Sequence, residues 1–105
     1  MNKKKGTVSV LIALLTCSLA IPANAASSGD YRAAGVNIRN STGVRRSRVL
    51  GAGYPGQRLT AYCEEWNYEE NSGDWFYHQN RRTRIKGYSL GRYLRVDRLV
   101  PHGCY

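Results

Sequence analysis

The sequence lacks the features that usually indicate an enzyme or a metal-binding protein. It holds only two histidines, His78 and His102, and three cysteines, and it has no CxxC spacing and no glycine-rich phosphate loop. Without closely spaced cysteine and histidine pairs, a zinc site is not indicated. We therefore expect no metal ligands, no cofactor and no catalytic activity.

Helical periodicity is also missing, because no stretch of the sequence repeats apolar residues at the spacing of a helix over the length of a helix. Short runs instead alternate apolar and polar residues, as Val36 and Ile38 do with Asn37 and Arg39. Such alternation is typical of strands with one buried face. Several of these runs, separated by turns, predict an all-β barrel or sandwich. The predicted strands lie at residues 36–39, 59–64, 75–78, 83–88 and 93–99, with an irregular strand near Val49 and Leu50.

The N-terminus shows the features of a secretory signal peptide in their usual order. Lysines at positions 3–5 precede an apolar run at residues 8–21, proline ends this run, and small residues occupy positions 23–25. This order predicts cleavage between Ala25 and Ala26. The run is shorter than the roughly 20 apolar residues of a membrane-spanning helix. Lipidation of Cys17 is an alternative, which the bulk of the preceding threonine disfavours.

Cleavage would leave residues 26–105, which suffice for one domain and are too few for two. We expect a flexible arm at residues 26–34, which are mostly small or polar, and one folded domain at residues 35–105. Cys63 and Cys104 would remain as an even pair in an oxidising compartment. A bridge between them would close a loop of about 42 residues and contribute roughly 4 kcal/mol. Two free thiols or a metal pair with histidine are the alternatives, and we predict the disulfide.

Acidic residues are scarce, since seven stand against sixteen lysines and arginines. Loss of the three N-terminal lysines lowers the formal net charge from +9 to +6, and Lys86 is then the only lysine. Arginine forms bidentate contacts with carboxylate and phosphate oxygens. The excess of arginine indicates an anionic extracellular partner, such as a wall polymer, a lipid head group, an acidic peptide or nucleic acid. Solubility of a small domain would explain the charge equally well.

Five sequence features follow one another between residues 35 and 99. A strand of the form apolar–Asn–apolar–Arg and a small-residue loop come first, as VNIR and NSTG at residues 36–43. Gly56 then precedes the alternating strand LTAYC. An aromatic strand that starts at Trp75, a Gly–Tyr pair at 87–88 and a turn ending in Tyr-Leu complete the order. In this order the features resemble the bacterial Src homology 3 (SH3) domain, especially its secreted actinobacterial type.

The resemblance implies a small five-stranded SH3-like barrel that binds a ligand. It places the first long loop and the acidic loop before Trp75 on either side of a groove, and the hairpin at residues 80–82 at the far end. Arg45 and Arg48 would lie beside the groove, whereas the arginines of residues 81–84 would lie away from it. Nucleic-acid binding needs a contiguous basic stripe, so this separation disfavours nucleic acid as the partner.

Aromatic residues exceed what one small barrel core can enclose, since the chain has eight tyrosines, two tryptophans and one phenylalanine. Aromatic rings have an apolar body, and in tyrosine and tryptophan a polar tip, which suits contact with sugars and peptides. The predicted ligand-binding residues are four aromatic groove-wall residues and two arginines for carboxylate or phosphate: Tyr54, Trp66, Trp75, Tyr88, Arg45 and Arg48. Closure of the barrel is the alternative role for Trp75 and Tyr88.

The sequence therefore predicts a secreted, non-catalytic module that binds cell-wall material, either the peptide or the glycan of peptidoglycan. His78 is interpreted as a structural histidine because it falls within a strand, and His102 as an exposed residue of the tail. The acidic pairs at residues 64–65 and 69–70 are interpreted as a solvated, charge-balancing face. A small secreted domain that binds or inhibits another protein is the first alternative. A basic surface for lipid or nucleic acid is the second.

Overall fold

The protein is all-β in this computed structural model, which describes residues 25–104. Its strands are β1 (Ser27–Tyr31), β2 (Val36–Arg39), β3 (Val49–Gly53), β4 (Arg58–Asn67), β5 (Ser72–Asn80), β6 (Lys86–Leu90) and β7 (Leu94–Val96). A 3₁₀ turn at Gly91–Tyr93 joins β6 to β7. The predicted signal peptide, with Cys17, lies outside the described residues except for Ala25.

All seven described strands join one antiparallel sheet in the order β3-β2-β6-β5-β4-β1-β7. Hairpins connect β2 to β3, β4 to β5 and β5 to β6, whereas β1 lies between β4 and β7. The two outermost strands, β3 and β7, do not pair with each other, so the sheet formed by residues 25–104 is not closed. The all-β prediction is confirmed, but the five-stranded barrel is not.

The prediction of a flexible arm at residues 26–34 is wrong for β1, which pairs with β4 on one side and β7 on the other. Gly29 is buried here, and the β7 backbone at Arg95 occupies the space that a β-carbon would need. Ser27 is buried as well, and its Oγ accepts a hydrogen bond from Arg98 N at 2.9 Å. The sequence does not predict this strand because small polar residues have low strand propensity and lack apolar alternation.

The two faces of the sheet carry different side chains, because neighbours along a strand point to opposite faces. The core face buries one cluster of mainly apolar side chains: Tyr31, Val36, Ile38, Leu59, Ala61 and Leu94. The opposite face, called the outer face below, carries mainly polar and aromatic side chains. They are Ser28 and Asp30 of β1, Asn37 and Arg39 of β2, Arg58 and Thr60 of β4, Trp75, Tyr77 and Gln79 of β5, and Lys86, Tyr88 and Leu90 of β6.

Cys63 and Cys104 form the predicted disulfide, with their Cα atoms 5.4 Å apart. This separation lies within the usual range for bridged cysteines. Beside the bridge, Glu64 N donates a hydrogen bond to Pro101 O at 2.9 Å, and Gly103 N donates one to Glu64 O at 2.7 Å. The C-terminal tail is therefore attached to β4 both covalently and through its backbone.

The other predicted strands are confirmed with different ends. The irregular strand near Val49 and Leu50 extends to Gly53 and pairs with β2. The strand predicted at residues 93–99 is shorter, because the 3₁₀ turn precedes it and β7 ends at Val96. Among residues 25–104, no helix is long and apolar enough to cross a membrane.

Candidate functional site

A groove of about 380 Å³ opens at one end of the outer face. The turn between β1 and β2, strand β2, the loop after β2 and the 3₁₀ turn contribute its walls. Trp75 of β5 and Leu90 of β6 are cross-strand partners, and both line it. A concave surface that combines apolar side chains with a few charged groups is the usual form of a ligand site.

Trp75 contributes to the shape of the groove but exposes little ring surface on which a ligand could stack. The residue is only 2 % exposed, and its indole Nε1 donates a hydrogen bond to Ser72 Oγ at 3.0 Å. Packing and this hydrogen bond together fix the orientation of the indole ring. Contacts with a ligand must therefore come mainly from the more exposed residues of the walls.

The groove walls hold two arginines with different surroundings. The Arg39 guanidinium donates a hydrogen bond to Ser47 Oγ at 3.1 Å, which connects it to the loop after β2. Arg92 is exposed, and its guanidinium carbon lies 5.0 Å from the centre of the Tyr93 ring. A cation over an aromatic face keeps its charge available to an anion. Arg92 and Tyr93 therefore place a cation stacked on an aromatic ring at the groove wall.

Glu70 holds the first loop, residues 40–48, against the turn between β4 and β5. Its carboxylate accepts hydrogen bonds from Val44 N and Arg45 N, each at 2.9 Å. These backbone donors, first that of Arg45 and then that of Val44, lower the pKa of Glu70 because they stabilise the charged carboxylate. Gly43 has a φ of +89°, a left-handed conformation that favours glycine. The loop is thus positioned so that Val44 lines the groove.

Three tyrosines lie next to the groove on the outer face and form a tyrosine row: Tyr62, Tyr77 and Tyr88. The ring centres of Tyr62 and Tyr77 are 5.9 Å apart, and those of Tyr77 and Tyr88 are 5.1 Å apart. Burial, with the negative charge of Glu65 next in effect, raises the pKa of Tyr88. Tyr77 follows Trp75 by two positions on the same strand face, so the groove and the tyrosine row are neighbours on one surface.

The six predicted ligand-binding residues do not come together in one site. Trp75 lines the groove, and Tyr88 lies beside it in the tyrosine row. Arg45 and Arg48 are exposed in the first loop and are not among the groove-lining residues. Proximity in sequence to Val44 therefore does not bring these two arginines into the groove.

Tyr54 and Trp66, the other two predicted residues, lie elsewhere on the molecule. Tyr54 is exposed in the turn between β3 and β4, where its backbone N donates a hydrogen bond to Gln57 Oε1 at 3.1 Å. Trp66 is half-buried on β4, and its ring occupies the space that a β-carbon at Gly73 would need. Trp66 therefore packs against the β5 backbone rather than lining the groove.

Sequence reasoning missed Arg39, Arg92 and Tyr93. Arg39 occupies a polar position of the alternating β2 pattern, which indicates that it faces away from the core. Arg92 and Tyr93 follow a turn signal and carry no motif. Their convergence depends on the pairing of β2 with β6, which the linear sequence does not display.

Both histidines have partners that explain their positions. His78 is fully buried, with Nδ1 3.1 Å from Phe76 O and Nε2 3.0 Å from the Tyr31 hydroxyl. Because a carbonyl only accepts, Nδ1 carries the proton and Nε2 accepts from Tyr31. Burial lowers the pKa of His78 and raises the pKa of Tyr31 to about 12. His102 is exposed, with Nδ1 3.3 Å from Glu64 Oε1.

Among residues 25–104, no three side chains of histidine, cysteine, aspartate or glutamate are close enough together to hold a metal ion. Comparison of the chain with models of known families, with curated proteins and with solved structures found no match. The groove and the tyrosine row are thus identified from geometry and chemistry.

Proposed function

We propose that this chain is a secreted, non-catalytic domain that binds cell-wall material, the peptide or glycan of peptidoglycan. The groove at Trp75 supports this proposal, because Arg92 and Tyr93 present a cation and an aromatic ring together on its wall. Carboxylates of peptide stems suit the guanidinium, and sugar rings suit the aromatic face. A non-catalytic role is supported by His78, whose two ring nitrogens are both engaged in the core.

Secretion is part of the same proposal. The order of features in residues 1–25 is typical of a cleaved signal peptide. The Cys63–Cys104 bridge suits an oxidising compartment. We expect the mature chain to begin at Ala26, which N-terminal sequencing of the exported protein would test.

The SH3-like type is also proposed. The five features of the resemblance lie on β2, β4, β5, β6 and the 3₁₀ turn that leads into β7, whose first residue is Leu94. We assign these five strands to the SH3-like unit and treat β1 and β3 as additions to it. Support comes from the chain order of these strands, which is the order in which the resemblance places its segments.

Co-sedimentation of residues 26–105 with purified peptidoglycan sacculi, stripped of anionic polymers, tests the wall-binding function. We expect the parent to sediment and Tyr93→Ala to weaken binding at every salt concentration, by roughly 1–3 kcal/mol. Arg92→Ala should weaken binding mainly at low salt, because exposed charges are screened over about 8 Å at physiological ionic strength. Tyr68→Ala is the matched control, since Tyr68 is 86 % exposed and does not line the groove.

A second control distinguishes binding in the groove from a general effect of positive charge on binding. The double change Arg45→Ala, Arg48→Ala removes more charge than Arg92→Ala but lies outside the groove. We expect it to weaken binding less than Arg92→Ala does. A parent that fails to sediment, or folded Arg92→Ala and Tyr93→Ala proteins that sediment like Tyr68→Ala, would overturn the proposal.

A further inference from the structure

A second basic region lies at the end of the outer face opposite the groove. The arginine turn, residues 81–84, joins β5 to β6 and carries Arg81, Arg82 and Arg84, all exposed. None of the three forms an ion pair with a carboxylate of the described residues. Five of the seven acidic residues are engaged elsewhere: Asp30 and Asp97 with Arg58 and Arg95, Glu64 with His102, Glu69 with Arg46, and Glu70 with the first loop.

Arg81 is held in place by neutral partners. Its Nε donates a hydrogen bond to Thr60 Oγ1 at 2.9 Å, and its Nη2 donates one to Ser28 Oγ at 2.6 Å. Thr60 and Ser28 are cross-strand partners on β4 and β1, so the two hydroxyls form a fixed pair. Hydroxyls position the guanidinium without neutralising it, and its remaining N–H groups can still donate. Arg81 is therefore a preorganised cation.

Arg84 occupies a backbone conformation that ordinarily favours glycine. Its φ is +68°, in the left-handed region that residues with a side chain rarely adopt. The turn requires this conformation, because Arg84 N donates a hydrogen bond to Asn80 O at 2.8 Å while Asn80 Oδ1 accepts from Arg82 N at 2.8 Å. Glycine would form the same turn more easily. Arg84 thus holds an exposed guanidinium at a backbone position that glycine would fit better.

The surface next to the turn suits hydroxyl groups better than nucleobases. Strand pairing aligns Ser28, Thr60, Gln79 and Lys86 across four strands in the row beside the turn. Their side chains are two hydroxyls, an amide and an amine. Nucleic acid without sequence preference is usually held by aromatic rings that stack on bases. The nearest aromatic residues belong to the tyrosine row, and their rings pack on each other.

We propose that the arginine turn is a second binding site, which takes the phosphate groups of an anionic polyol-phosphate polymer of the cell wall. Arginine forks bind phosphate oxygens in bidentate fashion, and several unneutralised arginines match a repeating anion. The neighbouring hydroxyl and amide groups bind the hydroxyls of the polyol. This site deepens the proposed function, since peptidoglycan in the groove and its attached polymer at the turn would be held by one outer face.

Binding of purified poly(glycerol phosphate) to the mature domain, measured by titration over a salt series, tests the second site. We expect Arg84→Gly to unfold no more easily than the parent in urea, because it relieves the left-handed backbone. The same variant should bind the polymer about three- to fivefold more weakly at low salt, with a shallower salt dependence, as expected for one lost phosphate contact. Arg84→Lys, which restores the charge but not the bidentate fork, should recover the salt dependence and only part of the affinity.

Matched measurements decide the outcome. Arg48→Ala removes the same charge from the first loop, outside the arginine turn, and should bind the polymer like the parent. Equal weakening by Arg48→Ala and Arg84→Gly would show a net-charge effect and overturn the proposal. Tighter binding of single-stranded DNA than of the polymer, at equal phosphate concentration, would also overturn it. Arg84→Gly should still sediment with stripped sacculi, so failure of the turn and failure of the groove give different results.

Discussion

At the scale of single residues, the buried pair of Tyr31 and His78 shows how a polar contact is kept inside this small core. The Tyr31 hydroxyl donates to His78 Nε2 at 3.0 Å, and His78 Nδ1 donates to Phe76 O at 3.1 Å. Each polar atom therefore has a partner, as burial requires. The protonated imidazole would lose the Tyr31 bond and gain a buried charge, so only the neutral form fits.

We predict that His78 makes stability depend on pH. Burial lowers the pKa of folded His78, whereas in the unfolded chain it has its ordinary value of 6.5. The stabilisation is thus complete above the unfolded value and is lost as pH falls towards the folded pKa, with a slope of at most about 1.4 kcal/mol per pH unit. Urea unfolding of the parent at a series of pH values below neutrality measures this loss.

The second histidine supplies the control for this prediction. The pH dependence should persist in His102→Ala, because this variant keeps the buried His78. His78→Gln should be less stable at neutral pH but should lose less stability on acidification. If His78→Gln and the parent lose stability in parallel, another group accounts for the pH dependence.

At the scale of structural elements, the first loop depends on a contact from a distant hairpin. Glu70, in the turn between β4 and β5, accepts the Val44 and Arg45 N–H groups and so positions one wall of the groove. Asn67 Nδ2 adds a hydrogen bond to Thr42 Oγ1 at 3.1 Å. The wall is therefore a product of two segments that lie far apart in the chain.

We predict that Glu70→Ala loosens the first loop without unfolding the sheet. Amide exchange at Val44 and Arg45 should become faster, and binding to stripped sacculi should weaken. Glu69→Ala is the matched control: within residues 25–104 Glu69 pairs only with Arg46, both side chains are exposed, and such pairs contribute about 0–1 kcal/mol. Equal exchange rates in the two variants would show that Glu70 does not hold the loop.

The pKa of Glu70 also fixes how this loop responds to acid. The backbone donors lower that pKa, so the contact is fully present above the ordinary glutamate value and is lost as pH falls through the lower folded value. The loop should accordingly stay ordered through mildly acidic conditions and loosen only in stronger acid. Amide exchange at Val44 over a pH series, corrected for intrinsic rates, measures this transition.

At the scale of the whole molecule, the disulfide joins the end of the chain to the longest strand. The Cys63–Cys104 bridge lies beside the backbone pairing of Glu64 with Pro101 and Gly103. A small core gains most from such a crosslink, because the crosslink restricts the unfolded chain. The tail thus contributes to stability although it follows the last strand of the sheet.

We predict that Cys63→Ala, Cys104→Ala lowers the free energy of unfolding by roughly 4 kcal/mol, the chain-entropy value for a loop of this length. Urea unfolding of the oxidised parent and the double variant provides the measurement. His102→Ala, which removes the side-chain contact of the tail with Glu64 but keeps the bridge, is the control and should change little. A double variant as stable as the parent would contradict a stabilising role for the bridge.

Strands with alternating apolar residues could be predicted from the sequence, and β2 is the clearest case. Val36 and Ile38 are buried while Asn37 is exposed, as the alternation requires. The strand β1 could not be predicted, because Ser27 and Gly29 are buried by the strands on either side rather than by their own hydrophobicity. Of the candidate site, Trp75 was found, whereas Arg92 and Tyr93 were not.

The sequence by itself determined three things: that the fold is all-β, that Cys63 pairs with Cys104, and that His78 has a structural role. Alternation, the even pair of cysteines outside the proposed signal peptide, and a histidine within a strand are local or countable features. The tertiary structure alone decided the sheet order, the groove and the two ends of the outer face. Those depend on which strands pair and in which register, and pairing brings together residues such as Arg39 and Tyr88 that are far apart in the chain.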